Sequence, residues 1–407
     1  MIQKMIEKGY ELVDEDADIY VVNTCTVTNI SDRKSRNILK RLKKQNPNSI
    51  IVATGCYVQT GKKELEEINE IDIILGNNEK NDIVEYIENY IKEKEVVVTD
   101  VMHQKEYLEF GSTTYTDKTR AVIKVQDGCD RFCSYCLIPY ARGRVRSRKL
   151  ENVVEEIKKI AKKGIKEVVI TGIHIASYGK DFKEKLTLID LLEKINKIQG
   201  IERIRLGSIE PTLITENFIE RLKKLDKICR HFHLSLQSGC DDTLKRMNRK
   251  YTTKEFEKSV EILRVNFEDV ILTTDVIVGF PGETDEEFDV TYNFLEKISF
   301  YKIHVFKYSP RKGTKAAQMK NQIDGIKKEE RSKKLILLSN KKQEEINRSY
   351  IGKNIEVLFE EQDAEYIKGH TENYIMVKVK HDFNNIENKI MNVKILDARE
   401  ENLIGKM

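Results

Sequence analysis

The sequence has no tryptophan, only five prolines and no apolar stretch long enough to cross a bilayer. So few prolines exclude a proline-rich or low-complexity chain. The most apolar stretch, 270–280, is interrupted by Asp275 and is shorter than the roughly 18 residues of a membrane span. The N-terminus is acidic and amphipathic, unlike a signal peptide. These absences predict a cytoplasmic protein with no membrane partner.

The cysteines disfavour a disulfide framework, because seven is an odd number and a cytoplasmic chain keeps its thiols reduced. Three of them, Cys129, Cys133 and Cys136, lie within eight residues of the segment "QDGCDRFCSYCLIPYARGRVRSR". Structural zinc normally requires four ligands, and no second C-x-x-C pair exists to complete such a site. Three thiolates on a four-iron cluster leave one iron open for another molecule. The spacing therefore favours an iron–sulfur cluster over structural zinc.

The net charge of +4 is small for 407 residues, but basic residues are unevenly distributed. Residues 127–149 carry six Lys/Arg against two Asp/Glu, and residues 309–347 carry eleven against five. The last segment, 348–407, carries nine against eleven. Basic charge thus accompanies the cysteine triplet and a later connector, and both segments are candidates for contact with a polyanion.

The order of apolar strands and helices predicts three domains. Residues 1–105 alternate continuous apolar strands with helices, which predicts a doubly wound parallel sheet covered on both faces. A polar linker, 106–119, is followed by six further strand–helix units over 120–308, a partial (β/α)6 TIM-like barrel. The basic connector 309–347 precedes 348–407, where period-two alternation predicts a small antiparallel β-barrel.

The C-x3-C-x2-C spacing after the first barrel strand, with Tyr135 beside the last cysteine, resembles the radical S-adenosylmethionine (SAM) enzymes. In that family the open iron chelates SAM, and an electron from the cluster cleaves the sulfonium to give a 5′-deoxyadenosyl radical. The resemblance implies cofactor contacts at Tyr135, at Gly172 in "VVITGIH", and at Gly279 and Gly282 in "DVIVGFPGET". The alternative for each glycine is a tight turn between a strand and a helix.

Two cysteines in the first predicted domain follow apolar strands: Cys25 in "VVNTCTVT" and Cys56 in "VATGCYVQ". The carboxyl ends of parallel strands meet at one edge of the sheet, so the two thiols are expected to share a site there. Two small buried core residues are the alternative. Cys229 and Cys240 have no partner at ligand spacing and are interpreted as structural.

The combination of "NTC…TGC", the cysteine triplet, "YSPRKGTKA" and a small β domain is similar to the methylthiotransferases. The resemblance implies an auxiliary four-iron cluster in the N-terminal domain, bound by Cys25, Cys56 and a third cysteine after an opening strand. Neither that strand nor that cysteine is present in the sequence that starts at Met1, so we expect the native chain to be longer. It further implies a C-terminal TRAM domain that binds RNA.

Within this family the motifs are most similar to the branch that modifies N6-threonylcarbamoyladenosine at position 37 of tRNA. The resemblance implies two 4Fe–4S clusters, SAM, a tRNA substrate, an electron donor such as a flavodoxin or ferredoxin, and a monomer. One alternative is the same chemistry on isopentenyladenosine in tRNA or on a ribosomal protein. Another is a non-catalytic RNA-binding protein with a structural metal site.

Side chains for RNA contact are predicted in two places. Four arginines alternate directly after the triplet, so an extended segment would present one basic side to phosphate or to a cofactor carboxylate: Arg142, Arg144, Arg146 and Arg148. The alternative is a solvated basic face. In the C-terminal domain, three rings could stack on bases or belong to the core: Tyr366, His370 and Tyr374.

The seven histidines show no metal-ligand spacing. His231 and His233 are predicted on one side of a barrel strand, in the barrel interior or at its rim. His174 follows a strand end and is a further site candidate. The sequence therefore predicts no histidine metal site.

Overall fold

A computed structural model describes residues 1–109, 119–363, 365–380 and 386–407. Most of the predicted linker, 106–119, lies outside the described residues. No helix in the described part of the chain is long and apolar enough to cross a membrane.

Helices and strands alternate along most of the chain, and the C-terminal part contains strands alone. The first half contains α1 (Ile2–Glu7), β1 (Ile19–Thr24), α2 (Asn29–Gln45), β2 (Ile50–Gly55), α3 (Cys56–Thr60), α4 (Lys62–Glu66), β3 (Ile73–Leu75), α5 (Ile83–Glu88), β4 (Glu95–Val97), β5 (Arg120–Asp127), α6 (Ile138–Arg142), β6 (Arg146–Ser147), α7 (Leu150–Lys162), β7 (Glu167–Gly172), α8 (Leu188–Asn196) and β8 (Arg203–Leu206). The second half contains α9 (Glu216–Leu222), β9 (His231–Gln237), α10 (Asp241–Arg246), α11 (Thr253–Asn266), β10 (Ile271–Val278), α12 (Asp285–Ile298), β11 (Lys302–Lys307), α13 (Lys315–Gln318), α14 (Gly325–Arg348), β12 (Asn354–Gln362), β13 (Tyr366–Thr371), β14 (Met376–Lys380), β15 (Ile390–Arg399) and β16 (Asn402–Lys406).

The chain divides into two compact units, and each is described here by itself. The first unit contains the N-terminal domain together with the segments 127–148 and 309–318. The second unit contains most of β5, the segment 149–308, and the chain from 319 to its C-terminus.

The sheet of the first unit has four parallel strands in the order β1-β2-β3-β4. Apolar clusters cover both faces: one includes Leu39 and Leu65, and the other includes Ile83 and Ile87. Because both faces are buried, the strands are continuous apolar runs instead of alternating ones. The predicted two-faced parallel sheet is confirmed.

The second unit contains six parallel strands, each predicted from the sequence. Strands β5, β7 and β8 pair in one sheet and β9, β10 and β11 in another. Two isolated parallel bridges, Ile204↔Ile228 and Ile209↔Leu234, connect the β8 region to the next strand. A large apolar core fills the space between these strands and their helices. The partial (β/α)6 barrel is therefore confirmed.

A closed five-stranded barrel of order β12-β13-β14-β16-β15 forms the C-terminal part of the second unit. All its pairs are antiparallel except β14 with β16, which is parallel. Alternating buried residues such as Val357, Val377 and Val393 fill its core. Closure removes the exposed strand edges that a domain this small would otherwise present.

Candidate functional site

The cysteine triplet lies in a loop that its own backbone closes. Gly128 has φ +71°, and a Cβ there would lie 1.8 Å from the carbonyl oxygen of Arg144, so only glycine fits. The amide of Cys129 donates to the carbonyl oxygen of Gly143 at 3.0 Å, which joins the two ends of the loop. Tyr135 is half-buried in the same loop. The position of the triplet is thus set by local backbone geometry.

Backbone amides in this loop also point at its sulfur atoms. The amide of Arg131 donates to Sγ of Cys129 at 3.5 Å, and the amide of Ile138 donates to Sγ of Cys136 at 3.4 Å. The amide of Cys136 donates to the carbonyl oxygen of Cys133 at 3.0 Å. Hydrogen bonds to sulfur stabilise thiolates and tune iron–sulfur clusters. The donor set fits an iron–sulfur cluster held by three cysteines.

Cys25 and Cys56 lie at the same edge of the first unit's sheet. The last paired residues of β1 and β2 are Thr24 and Gly55, and each cysteine directly follows one of them. Cys25 is exposed, whereas Cys56 is half-buried and its Sγ accepts a hydrogen bond from Nε of Arg142 at 3.1 Å. These two predicted ligands therefore lie just beyond the ends of adjacent strands, with a guanidinium against one of them.

The alternating arginines do not form one solvated face. Arg142 and Arg146 each approach the carboxylate of Asp127 at 3.6 Å, and Arg146 donates to the carbonyl oxygen of Arg142 at 2.8 Å. The side chain of Arg146 is only 4% exposed, and this burial lowers the pKa of its guanidinium while Asp127 offsets the effect. These two arginines mainly stabilise the segment that carries the triplet.

The other two arginines of this group differ from each other. Arg148 is 8% exposed and pairs with Glu109 at 2.7 Å. Arg144 is 53% exposed, lies 3.3 Å from Asp130, and places its guanidinium over the ring of Phe132. Within the segment 142–148, Arg144 has the side chain that remains most accessible to a phosphate.

Gly172 and His174, both in the second unit, lie at the end of β7. A Cβ on Gly172 would lie 2.8 Å from the carbonyl oxygen of Gln126, so close packing of β7 against β5 requires glycine there. His174 lies in a polar network: its amide donates to the side chain of Gln126, and its ring contacts Ser177 at 2.7 Å and Glu210 at 3.2 Å. Packing thus explains Gly172, and His174 is held by three partners.

Gly279 and Gly282 lie in the turn after β10, where φ is +67° and +79°. The amide of Gly279 donates to Glu283 at 2.6 Å, and Glu283 pairs with Arg331 of α14 at 2.5 Å. Burial raises the pKa of Glu283, although the amide of Gly279 and the charge of Arg331 oppose that effect. The buried carboxylate of Glu283, held by Arg331 of α14, thereby braces this glycine turn.

The predicted base-stacking rings of the C-terminal domain mostly make contacts within the protein. His370 stacks on Tyr374 with centroids 4.5 Å apart, and the guanidinium of Arg205 lies 4.5 Å from the Tyr374 centroid. Tyr374 also contacts His231, a residue of β9, at 5.2 Å. Tyr366 is half-buried at the start of β13. Tyr374 thus packs against the (β/α) barrel while remaining 38% exposed, and His370 packs against Tyr374.

The two remaining cysteines are buried in the second unit, Cys229 at 1% exposure and Cys240 at 6%. Burial raises the pKa of Cys229 to about 12, with Arg205 acting in the opposite direction. A thiol with that pKa stays protonated near neutral pH, which suits a packing role.

Two histidines that spacing along the chain does not connect lie close to an aspartate. Ligand atoms of His233, Asp275 and His304 lie within 4.8 Å of one another. The three residues are on β9, β10 and β11, at positions that strand register brings together. Spacing along the chain could not reveal this group, because its members are far apart in sequence. The group could have been found by placing the three predicted strands side by side in register, which brings these residues together.

Family models match two parts of the chain. The model described as the Radical SAM superfamily matches residues 123–295. The model described as "Uncharacterized protein family UPF0004" matches residues 1–76. The first match contains the cysteine triplet, and the second contains Cys25 and Cys56.

Relatives cover nearly the whole chain. A Bacillus subtilis protein named threonylcarbamoyladenosine tRNA methylthiotransferase MtaB is 42% identical over 96% of this chain and 89% of its own length. A protein of the same name from Aquifex aeolicus is 42% identical over 92% and 91%. A Thermoanaerobacter protein named tRNA-2-methylthio-N(6)-dimethylallyladenosine synthase is 36% identical over 100% and 88%. The chain belongs to the radical SAM methylthiotransferase family.

Solved structures agree with the fold. The radical SAM methyltransferase TsrM from Kitasatospora setae has a TM-score of 0.55 at 18% identity, over 72% of this chain and 62% of its own. The radical SAM enzyme OxsB has a TM-score of 0.51 at 14% identity, over 82% of this chain and 48% of its own. At these identities the likeness concerns the fold alone.

Proposed function

We propose that this protein attaches a methylthio group to C2 of N6-threonylcarbamoyladenosine at position 37 of tRNA by radical SAM chemistry. The observation that carries the proposal is the cysteine triplet in its amide-lined loop, in a chain 42% identical to relatives named for this activity. A C2–H bond of adenine is not acidic, so acid–base catalysis is unsuited to breaking it, whereas a primary carbon radical can abstract the hydrogen atom.

In this proposal Cys129, Cys133 and Cys136 hold a 4Fe–4S cluster whose open iron takes SAM. When bound, the cluster supplies the electron that cleaves the cofactor reductively. The protein orients the three thiolates through the loop closure at Gly128 and Gly143. We assign SAM contacts to Tyr135 and to the glycine turns at Gly172, Gly279 and Gly282 in the second unit.

We further propose Cys25 and Cys56 as ligands of an auxiliary 4Fe–4S cluster. Their common sheet edge supports this assignment, because each cysteine directly follows the carboxyl end of one of two paired parallel strands. Arg142 orients Cys56 through its Nε hydrogen bond to the sulfur. Such a contact from a neighbouring side chain acts on the ligand and not on the substrate.

The tRNA substrate requires a basic surface and a base that can leave its stack. Arg144 and exposed lysines of α14, such as Lys333 and Lys341, are candidates for phosphate contacts. Arg331 of the same helix is unsuited, because it is buried against Glu283. An external one-electron donor such as a flavodoxin or ferredoxin completes the proposed partners of a cytoplasmic monomer.

The proposed division of labour follows the predicted domains. Residues 1–105 carry the auxiliary site, 120–308 form the radical SAM barrel, and 348–407 form the TRAM-like RNA-binding domain. The connector 309–347, most of which is α14, adds basic charge.

Nucleoside analysis of tRNA from a deletion strain tests the proposal. We expect the methylthio derivative of threonylcarbamoyladenosine to disappear, its unmethylthiolated parent to accumulate, and a plasmid copy of the gene to reverse both changes. A Cys133→Ala copy should not complement. Loss of methylthio-isopentenyladenosine instead would assign the activity of the Thermoanaerobacter relative, and unchanged tRNA with an altered ribosomal protein would refute a tRNA substrate.

A further inference from the structure

Strands β9, β10 and β11 each direct one set of side chains to the apolar core and the other set to the opposite face. Phe232, Leu234 and Val276 are fully buried in that core. Because side chains alternate along a strand, His233 and Asp275 point to the other face of the sheet. These strands therefore present polar groups on the face opposite their helices.

On that face three potential ligands converge. Nε2 of His233 lies 3.1 Å from Oδ2 of Asp275, and the rings of His233 and His304 are 5.7 Å apart. The ligand atoms of all three lie within 4.8 Å of one another. His304 is exposed, and no hydrogen bond connects its ring to another described residue. Two imidazole rings and one carboxylate thus lie close together, and contacts with described residues do not use all of their hydrogen-bonding capacity.

The ring of His233 is already oriented for ligation. Its Nδ1 lies 3.0 Å from the hydroxyl of Thr273, which leaves Nε2 directed at Asp275. Thr273 is in turn 3.2 Å from Nε2 of His231. Metal-bound histidines usually hold their second ring nitrogen in this way, because the contact fixes tautomer and orientation.

We propose that His233, Asp275 and His304 bind a divalent first-row transition-metal ion distinct from the iron–sulfur clusters. Two imidazoles with one carboxylate is a donor set that such ions accept. Metal–nitrogen bonds of about 2.0–2.1 Å need only a small inward rotation of side chains already within 4.8 Å. Three protein ligands leave coordination positions open for water or another oxygen ligand. The site is independent of the proposed function.

A second group of potential ligands in the same unit is less suitable. Cys240, Asp242 and Glu287 also converge within 4.8 Å. The carboxylate of Glu287, however, is held by both the guanidinium of Arg246 and the hydroxyl of Thr243. Asp275 has no such competing cation among its described partners, since its ion pair is with His233.

Anaerobic equilibrium dialysis of the cluster-reconstituted protein against Co²⁺ tests the site, with cobalt and iron counted in the same samples. We expect the wild type to retain one more cobalt per chain than His304→Ala or Asp275→Asn. Thr273→Val should keep the ligands but weaken cobalt binding by about 10- to 100-fold. Equal iron contents and circular dichroism spectra would show that the variants keep their clusters and fold.

His103→Ala is the matched control. His103 also pairs with a carboxylate, Asp100 at 2.8 Å, but it is exposed and belongs to no three-ligand group in the described chain. It should retain as much cobalt as the wild type. Equal cobalt in the wild type, His304→Ala and Asp275→Asn would overturn the proposal. So would an additional cobalt whose spectrum shows thiolate ligation.

Discussion

The two groups of cysteines in the first unit are built in different ways. The triplet lies in one loop, where backbone amides reach the sulfurs of Cys129 and Cys136. Cys25 and Cys56 directly follow two different strands, and the contact to Cys56 comes from a side chain, Arg142. A contiguous motif therefore forms its own environment, whereas the paired site depends on sheet register and on a residue distant in sequence.

The largest expected effect follows from removing a triplet cysteine. Cys133→Ala should abolish 5′-deoxyadenosine formation on reduction, because each thiolate of the triplet is a proposed ligand of the reactive cluster. Chromatographic detection of 5′-deoxyadenosine after anaerobic reconstitution measures this. Cys229→Ala, a cysteine substitution outside both groups, should keep cofactor cleavage. Wild-type cleavage by the Cys133 variant would show that the triplet does not hold the reactive cluster.

Removing Cys56 should separate the two cysteine groups. Cys56→Ala is expected to lose methylthiolation of tRNA while 5′-deoxyadenosine formation persists, because the triplet loop does not use Cys56. Iron content should fall to about half, as expected for loss of one of two four-iron clusters. Iron analysis and both product assays on one preparation decide this. Simultaneous loss of cleavage would mean that the two groups are not separable.

Arg142 tests whether the contact to Cys56 is functional. Arg142→Met should lower methylthiolation by about 10- to 100-fold, the usual cost of losing a residue that orients a metal ligand. The midpoint potential of the auxiliary cluster should shift, because a positive charge next to its ligand has been removed. Arg142→Lys should restore part of both.

The same variant distinguishes this role from the RNA contact that the sequence predicts. If Arg142 contacted a phosphate, its loss would weaken tRNA binding. It would also reduce the salt slope, the slope of log binding constant against log salt concentration, by about one. An unchanged potential together with such a change in salt slope would contradict the positioning role.

Much of the fold could be predicted because each element has a local cause. Thr284 and Glu287 form a capping box at the start of α12, and the six barrel strands lie where apolar runs lie. The cysteine triplet was predictable for the same reason. Its chemistry is contained in eight consecutive residues.

The rest depended on contacts that alternation along the chain does not specify. Arg146 and Arg148 were expected on a basic surface but are buried, because Asp127 and Glu109 supply partners from other segments. The convergence of Asp275 with two histidines needs the register of three strands. The alternating charges along the sequence therefore did not reveal which of these arginine side chains are buried.

The smallest expected effect belongs to Arg144, the exposed member of the alternating arginines. Arg144→Ala should weaken tRNA binding a few-fold and lower the salt slope by about one, equally for different tRNA sequences, as for a single phosphate contact. Binding isotherms at several salt concentrations measure this. Lys159→Ala, which removes an exposed cation paired with Glu155 on α7, is the matched control and should change neither quantity. If Arg144→Ala left both unchanged while Arg142→Met reduced the slope, the assignment of the two arginines would have to be exchanged, with the half-buried one meeting RNA.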